Sequence, residues 1–388
     1  MRKYFVLAVA ILAMLMTAHA QNQYITPSER IVYENIDRLE LLASWQRPDN
    51  GLVAASFSPD SSLLALVINN GVIQLLNFPS LEPYSTLSGV NFEASQVKFS
   101  RDGSRLMLSN FYGNYGFWNV DTGELIGEYA QDSGEIWGDV DADIKFLATL
   151  NKNNMITIRE ITTGNEQLRV EQATSLPRPS LSPDGSLLLT VSEEGFLVWN
   201  IATGAVAYQF HKPENTELRG FGFSPDGQSI WANWRDWRFG RDISENRSII
   251  EFWSTANGSE FTRMSGEGSH LRMFFYKTNN LVATAGEDDG LQSTVWVWNM
   301  ESGELLGEAG IPTSGGMAGF NADGSLLAIA SGTGTKVQFW SVNSPDVPII
   351  ASVDIESGTF VPPLFSADGR YLLTVGSDIR IWGIPSSN

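Results

Sequence analysis

Short runs of alternating apolar and polar residues recur along the chain, and pairs of runs are separated by a turn signal. In the first pair, Leu52 to Phe57 and Leu63 to Ile68 flank the segment Ser-Pro-Asp-Ser. Proline fixes φ and glycine tolerates positive φ, so Ser-Pro-Asp-Gly and its variants reverse the chain between two strands. The signal follows an apolar residue at six places: Phe57 to Ser61, Phe99 to Gly103, Leu181 to Gly185, Phe223 to Gly227, Phe320 to Gly324 and Phe365 to Gly369.

The turn signals are evenly spaced. Steps of 42, 41, 41, 42, 53, 44 and 45 residues separate the turn positions, with Asn279 replacing the aspartate in one unit. A period of about 40 to 45 residues is typical of propeller blades. The turn aspartates are Asp60, Asp102, Asp143, Asp184, Asp226, Asp323 and Asp368.

A second repeated position supports this period. An alternating strand ending in tryptophan follows most turns, and Leu76 and Arg159 occupy the position in the first and third units. A polar turn ending in Thr-Gly or Ser-Gly comes next, followed by a fourth strand such as Glu124 to Tyr129. Four strands per unit make one blade. The tryptophans are Trp118, Trp199, Trp253, Trp298, Trp340 and Trp382.

These units resemble the WD40 family of propellers. The resemblance covers most of the chain and rests on FSPDG turns and on strands closing with WNVDTGELIG or VWNIATG. The Trp-Asp pair of that family is replaced by Trp-Asn, Trp-Ser or Trp-Gly, and its Gly-His signature is missing. The buried Asp-His-Ser-Trp network that the resemblance implies is therefore not expected, and stability should come mainly from apolar packing. TolB-like periplasmic propellers share the turn, but the Trp-Asn-x-x-x-Gly tail fits WD40 better.

The two ends of the chain predict how the ring closes. The last unit stops after Trp382, and the segment from Gly383 to Asn388 offers no fourth strand. The sequence RLELLASW at 38–45 is similar to fourth strands elsewhere, so it is expected to complete the last blade and remove a free edge. The fold class is thus all-β, one propeller over residues 21–388 with repeats from about 51. Eight antiparallel four-stranded blades are expected, with seven as the alternative if the third unit is irregular.

The first twenty residues have the pattern of a secretory signal peptide. Arg2 and Lys3 precede an apolar run from Tyr4 to Met16, and Ala18-His19-Ala20 offers a cleavage site. The run is shorter than the roughly 20 residues that a spanning helix needs. The pattern predicts cleavage after Ala20, a secreted or periplasmic protein of bacterial type, and no membrane span in the mature chain. There is no cysteine, and so no disulfide.

Charge limits the classes of partner. The chain has 25 basic and 44 acidic residues, a formal net charge of −19, and loss of Arg2 and Lys3 would make it −21. Nucleic acid is not an expected partner, because its binding requires basic side chains that neutralise phosphates. Anionic lipid is disfavoured for the same reason. A protein or peptide partner is expected, with a monomeric chain favoured.

The sequence offers few catalytic or metal-binding candidates. His211 and His270 lie in no recognised catalytic motif. The series Asp139, Asp141, Asp143 resembles the start of a calcium loop, but Ile144 replaces the turn glycine and Leu150 the bidentate glutamate. The acidic segment 287–290 fits a solvated hairpin. No enzyme activity, catalytic residue, cofactor or metal is expected.

The most individual segment is an insertion in the fifth unit. From Asp226 to Trp253 the chain takes 27 residues, where other units take 14 to 19. Tryptophan and arginine are enriched in binding hot spots, which favours a partner site on this connection. The alternative is that Trp231 and Trp237 fold back on their own blade while the arginines pair with nearby carboxylates. The candidate partner-binding residues are Trp234, Arg235, Trp237, Arg238, Phe239 and Arg241.

Two functions remain open. The first is a non-enzymatic extracytoplasmic interaction scaffold, in which rigid strands carry variable binding loops. The second is a propeller enzyme or a carbohydrate or small-ligand binder that works at the central channel. The second requires carboxylates or histidines from several blades to converge on the channel.

Overall fold

The chain forms antiparallel β-sheets, and its one helix among the described residues is a 3-10 helix at Tyr33–Arg38. In this computed structural model no described helix is both long enough and apolar enough to cross a membrane. The described residues are 27, 29–46, 52–68, 71–110, 112–129, 135–172, 178–236, 247–267, 269–275, 281–287, 293–311, 317–330, 335–342, 349–355, 362–375 and 378–385.

The first four blades are four-stranded sheets built from consecutive strands. Blade 1 contains β2 (Leu52–Phe57), β3 (Leu63–Ile68), β4 (Val72–Asn77) and β5 (Pro83–Leu87). Blade 2 contains β6 (Gln96–Phe99), β7 (Arg105–Ser109), β8 (Tyr115–Asn119) and β9 (Leu125–Tyr129). Blade 3 contains β10 (Glu135–Val140), β11 (Phe146–Asn151), β12 (Met155–Glu160) and β13 (Glu166–Glu171). Blade 4 contains β14 (Ser180–Leu181), β15 (Leu187–Ser192), β16 (Gly195–Asn200) and β17 (Val206–His211).

The next four blades follow the same order, and the last includes the first strand of the chain. Blade 5 contains β18 (Thr216–Phe223), β19 (Ser229–Asp236), β20 (Arg247–Ser254) and β21 (Glu260–Glu267). Blade 6 contains β22 (Ser269–Phe275), β23 (Leu281–Glu287), β24 (Ser293–Asn299) and β25 (Leu305–Ile311). Blade 7 contains β26 (Met317–Phe320), β27 (Leu326–Ala330), β28 (Lys336–Ser341) and β29 (Ile349–Asp354). Blade 8 contains β30 (Leu364–Phe365), β31 (Tyr371–Val375), β32 (Asp378–Gly383) and β1 (Glu40–Gln46).

The eight-bladed propeller predicted from the repeats is confirmed. The third unit, the weakest in sequence, is a regular sheet, so the seven-blade alternative is wrong. Strand β1 pairs antiparallel with β32, with Leu41 opposite Trp382 and Ser44 opposite Arg380. The N-terminal closing strand is therefore confirmed, and it begins at Glu40, two residues later than position 38.

The repeated turn has a common hydrogen-bond pattern. In blade 1, the Ser58 hydroxyl donates to Asp60 Oδ1 at 2.7 Å, and the same oxygen accepts the Ser62 amide at 3.0 Å. The bond from the Ser58 hydroxyl lowers the pKa of Asp60, which keeps the carboxylate charged. In blade 3, Asp141 replaces the serine and accepts the amides of Lys145 and Phe146. Asp141 therefore caps its own turn, which accounts for it without a cation.

The tryptophan position is part of the core but not purely apolar. The indole of Trp199 donates to Thr190 Oγ1 at 2.8 Å, and Trp298 and Trp382 make the same bond to Thr284 and Thr374 at 3.0 Å. In blade 3 the Arg159 guanidinium donates to the equivalent Thr149. Apolar packing was expected to be the main contribution, and in blades 3, 4, 6 and 8 a hydrogen bond from the repeated residue to a second-strand threonine adds to it. In blade 2 the Trp118 indole donates to the Ser88 carbonyl instead.

Apolar side chains are buried between neighbouring blades. The core is divided into clusters that each combine two adjacent blades, such as the cluster of Leu64, Leu76, Tyr371 and Ile381 between blades 1 and 8. This arrangement suits a ring, because each blade buries its two faces only against its neighbours.

Candidate interaction surface on blade 5

The order of strands in each sheet defines two faces of the disc. The first strands of neighbouring blades contact one another, so they lie next to the channel and the fourth strands lie outermost. The Ser-Pro-Asp-Gly turns, between first and second strands, and the connections between third and fourth strands share one side, here called the lower face. The connections between second and third strands, and those between blades, share the upper face.

Blade 5 is the tallest blade in the described part of the chain. Each of its four strands has eight residues, whereas the second, third and fourth strands of blade 4 have six each. Strand β20 continues six residues above Trp253, and β16 continues four above Trp199. Strand β24 of blade 6 continues five residues above Trp298. At about 3.4 Å per residue, blade 5 therefore rises about 7 Å above blade 4 and about 3 Å above blade 6. The insertion therefore extends regular β-structure, and only 237–246 remains outside the described residues.

The predicted site residues divide into two groups. Trp234 and Arg235 lie on β19, directly before the connection. Trp234 is 1% exposed and packs with Phe196 of blade 4, with ring centroids 6.3 Å apart. The placement of Trp234 on an open loop is corrected, because Ile230, Ala232 and Trp234 alternate onto the buried face of a strand. Trp237, Arg238, Phe239 and Arg241 lie outside the described residues.

A buried polar group supports the raised part of blade 5. The Trp234 indole donates to Glu251 Oε2 at 2.8 Å, and Arg263 Nη1 lies 3.2 Å from Glu251 Oε1. The Glu251 side chain is 5% exposed, whereas that of Arg263 is 47% exposed. Burial raises the pKa of Glu251, and Arg263 partly offsets this effect. Sequence reasoning missed this group, although a glutamate among apolar residues in Ile-Ile-Glu-Phe-Trp was a signal.

Trp231 faces the other side of the blade. It is half-buried and packs towards Phe275 of blade 6, with ring centroids 6.2 Å apart. The two tryptophans of β19, which face opposite sides of the sheet, thus pack blade 5 against both of its neighbours. The alternative named Trp231 and Trp237 as folding back on their own blade; Trp231 packs against the core cluster between blades 5 and 6, and Trp237 is outside the described residues.

The central channel has a polar arc over blades 2 to 4. Equivalent positions on the innermost strands carry Lys98, Asp139 and Ser180. Asp139 Oδ2 accepts the Leu181 amide at 2.8 Å and the Ser180 hydroxyl at 3.2 Å. Burial raises the pKa of Asp139. Because the carboxylate joins two inner strands, its geometry is that of a structural link between blades 3 and 4.

The histidines do not build a catalytic group in the described channel. His211 lies on β17, an outermost strand, with Nδ1 3.4 Å from Glu194 Oε2 at the exposed rim. His270 lies on β22, and its side chain is outside the described residues. No group of three or more potential metal ligands occurs among the described residues. Positions 288–290 of the acidic hairpin are also outside them.

Comparison with known proteins supports the fold. No protein-family model matches the chain. The C-terminal WD40 domain of Sif2 superposes with a TM-score of 0.65 at 16% identity, over 90% of this chain and 99% of that domain. The Cps50 (Swd1) β-propeller domain of Myceliophteria thermophila gives 0.59 at 11% identity, over 89% and 99%. These likenesses show a WD40-type propeller fold.

Curated relatives match a shorter part of the chain. Eukaryotic translation initiation factor 3 subunit I of Aspergillus terreus is 35% identical over 114 residues, 29% of this chain and 34% of that protein. The protein of the same name in Neurospora crassa is 35% identical over 109 residues, 28% and 32% of the two chains. The match therefore spans about a third of the length of these relatives.

These relatives contradict the predicted location. They are named as subunits of a eukaryotic translation initiation factor, and translation initiation takes place in the cytoplasm. The prediction of a secreted or periplasmic protein of bacterial type is wrong on this comparison. It depended on the pattern of residues 1–20, two basic residues, an apolar run and an Ala-His-Ala cleavage site, and residues 1–26 lie outside the described part of the chain.

Proposed function

We propose that this protein is a non-enzymatic interaction scaffold whose partner-binding surface is the top of blade 5. The observation that carries the proposal is the length of this blade, whose four strands have eight residues each, two more than the second to fourth strands of blade 4 and one more than the strands of blade 6. The binding residues in this proposal are Arg235, Trp237, Arg238, Phe239 and Arg241, and Trp234, buried on β19, is a supporting residue.

Composition supports this choice of surface. Residues 216–267 contain six of the chain's eighteen arginines and no lysine. With eight acidic residues the segment has a formal charge of −2, which per residue is similar to the −19 of the whole chain, so its arginine content and not its net charge distinguishes it. Guanidinium groups bind carboxylates through two parallel hydrogen bonds and stack on aromatic rings, so they suit a protein interface. The proposed partner is a protein or peptide that presents carboxylates and apolar side chains together.

Rigidity supports it as well. A binding group is positioned better by packed strands than by a long loop. Trp234, Glu251 and Arg263 link three adjacent strands across the middle of blade 5. The names of the relatives also point to assembly, since each denotes a subunit of a larger factor.

The test is affinity purification from native cell extract with the tagged chain and two triple variants. The first variant is Trp237→Ala, Arg238→Ala, Arg241→Ala at the proposed surface. The matched control is Tyr84→Ala, Arg169→Ala, Arg370→Ala, which also removes one aromatic and two arginine side chains, all away from blade 5. Both variants must keep the parent's thermal midpoint.

A protein that binds the parent and the control at one-to-one stoichiometry but not the blade 5 variant would support the proposal. Retention by all three chains would place the interface elsewhere and contradict the proposed site. Failure of the parent to bind any protein stoichiometrically would contradict the scaffold function and favour a small ligand in the channel.

A further inference from the structure

The segment before the closing strand packs beneath blades 7 and 8. Glu29 forms an isolated antiparallel bridge with Ile384, and the chain then turns through the 3-10 helix at Tyr33–Arg38 before entering β1. Its side chains Ile31 and Ile36 are 1% and 6% exposed. They belong to the core cluster that joins the last two blades and contains Phe339, Trp382 and Ile384.

One residue of this segment bridges the lower turns of two blades. The Ile31 amide donates to the Gly369 carbonyl of blade 8 at 2.8 Å. The Ile31 carbonyl accepts from Asn321 Nδ2 of blade 7 at 3.0 Å, in a buried bond. In blades 2 to 4 the turns are joined directly, with Arg101 N donating to Ala142 O and Ala142 N to Pro183 O. The backbone of Ile31 thus joins the lower turns of blades 7 and 8, as direct turn-to-turn hydrogen bonds join those of blades 2 to 4.

The segment also holds its own shape. The Arg38 guanidinium forms two hydrogen bonds to the Glu29 carboxylate, at 3.0 and 3.1 Å. Asn35 Nδ2 donates to the Arg30 carbonyl at 2.9 Å, and Asn35 Oδ1 accepts the Val32 amide at 3.0 Å. Arg38 and Glu29 are about half exposed, so their ion pair adds little by itself, but it closes the loop that presents Ile31.

Blade 8 has particular need of a second fastening. Its innermost strand β30 has only two residues, as has β14 of blade 4, and it follows Pro362 and Pro363, which cannot donate backbone hydrogen bonds. Its outermost strand β1 comes from the other end of the chain. Towards blade 1 the interface contains three aromatic rings. The Phe78 ring packs against those of Phe57 and Tyr371, with centroids 4.8 Å apart in both pairs. Towards blade 7 the segment 29–38 provides the lower contact.

We propose that residues 29–38 form a clasp that locks blade 8 against blade 7, separately from the closure that β1 makes within the sheet. With the clasp released, blade 8 opens locally while the other blades remain folded. The clasp is a conformational device of the ring and is independent of any partner on blade 5.

The absence of cysteine makes the test direct, because single thiols can be introduced as reporters. Val375→Cys places a thiol in blade 8, and Val191→Cys places one in blade 4. Both valines are buried and stand three residues beyond the second-strand residue opposite the repeated tryptophan. The rate of thiol labelling in native buffer then measures how often each blade opens.

Two variants weaken the clasp by different amounts. Asn321→Ser removes the bond to Ile31 but keeps a turn-capping hydroxyl, as Ser58 and Ser182 provide in other blades. It should speed labelling in blade 8 about fivefold, the effect of one hydrogen bond. Ile31→Ala leaves a cavity and should speed it roughly thirtyfold or more. Tyr33→Ala, at a 40% exposed position of the same segment, is the control and should change the rate by less than about twofold.

The pattern across the two reporters decides the outcome. Faster labelling of the thiol in blade 8, with an unchanged rate in blade 4, supports the clasp. An unchanged rate in blade 8 with both clasp variants would overturn it. Equal acceleration in both blades would also overturn it, because the segment would then stabilise the whole ring and not blade 8.

Discussion

Blades 4 and 5 are neighbours with the same lower half and different upper halves. In both, a serine hydroxyl donates to the turn aspartate at 2.6 Å, from Ser182 to Asp184 and from Ser224 to Asp226. Above the repeated tryptophan they diverge. In blade 4 the Trp199 indole donates to Thr190, and the second and third strands end in a short turn. In blade 5 Ala232 replaces the threonine, and the two strands continue further upward.

The difference shows where the repeat constrains the sequence and where it does not. The lower half must form the turn and the inter-blade core, so most units repeat the same types of residue there. The upper half can lengthen as long as each added strand residue has pairing partners, which β18 to β21 supply to one another. New binding surface can therefore be added to one blade without altering the ring.

Replacing the tryptophan of the raised part should have the largest effect on this comparison. Trp234→Ala leaves a cavity beside Phe196 and removes the indole donor to Glu251. We expect a loss of about 3 to 5 kcal/mol in the free energy of unfolding. Trp199→Ala in blade 4 should cost less, because Trp199 is only half-buried. Chemical denaturation of both variants measures the difference, and an equal or larger loss for Trp199→Ala would contradict the packing role of Trp234.

Substitution of the turn glycines tests the claim that the lower halves are equivalent. Gly185 and Gly227 have φ of 70° and 73°, a conformation that costs other residues about 1 to 2 kcal/mol. A Cβ at Gly185 would lie 2.7 Å from Phe146, and one at Gly227 would lie 3.3 Å from Pro183. Gly185→Ala and Gly227→Ala should both lower the thermal midpoint, Gly185→Ala more strongly. An unchanged thermal midpoint for either variant would contradict the equivalence of the two lower halves.

The threonine that binds Trp199 offers a smaller and more specific test. Thr190→Val keeps the shape of the side chain but removes the acceptor of the indole N–H. The expected loss is about 1 kcal/mol in the free energy of unfolding. Thr190→Ser is the control, since it retains the hydroxyl. If the valine variant is as stable as the parent, the hydrogen bond contributes nothing to the free energy of unfolding, and apolar packing alone stabilises Trp199.

The smallest expected effect is a pH dependence confined to blade 5. Burial raises the folded-state pKa of Glu251 above its ordinary value of 4.5. The folded state then binds more protons than the unfolded state over this pH range. The contribution of Glu251 to the free energy of unfolding is therefore largest below pH 4.5 and is lost as pH rises through the folded-state pKa. Glu251→Gln keeps an acceptor for Trp234 and should flatten that decline relative to the parent. Identical pH profiles for the two proteins would show that Glu251 keeps its ordinary pKa.

Much of the ring was predictable from particular residues. The serine-aspartate turns and the tryptophan column fixed the period, because both depend on local geometry that each unit repeats. Arg159 and Leu76 occupy the column as the spacing indicated, opposite Leu147 and Leu64. The closing strand was predictable because the last unit ends one strand short.

Other features depend on contacts between distant parts of the chain. Nothing local in Ile31 indicates that its backbone joins the turns at Asn321 and Gly369. The extended strands of blade 5 were not predicted, because the insertion was interpreted as a loop. The alternation of Ile230, Ala232 and Trp234 indicated a strand. The segment was instead interpreted as a binding loop, because it is rich in tryptophan and arginine.

The central claim, that a protein partner binds the top of blade 5, is tested most directly by hydrogen exchange on the purified complex. We predict slower exchange in the upper halves of β19 and β20, at 233–236 and 247–250, while their lower halves and β15 and β16 of blade 4 keep their rates. Slower exchange only at the lower turns, or around the channel, would contradict the account.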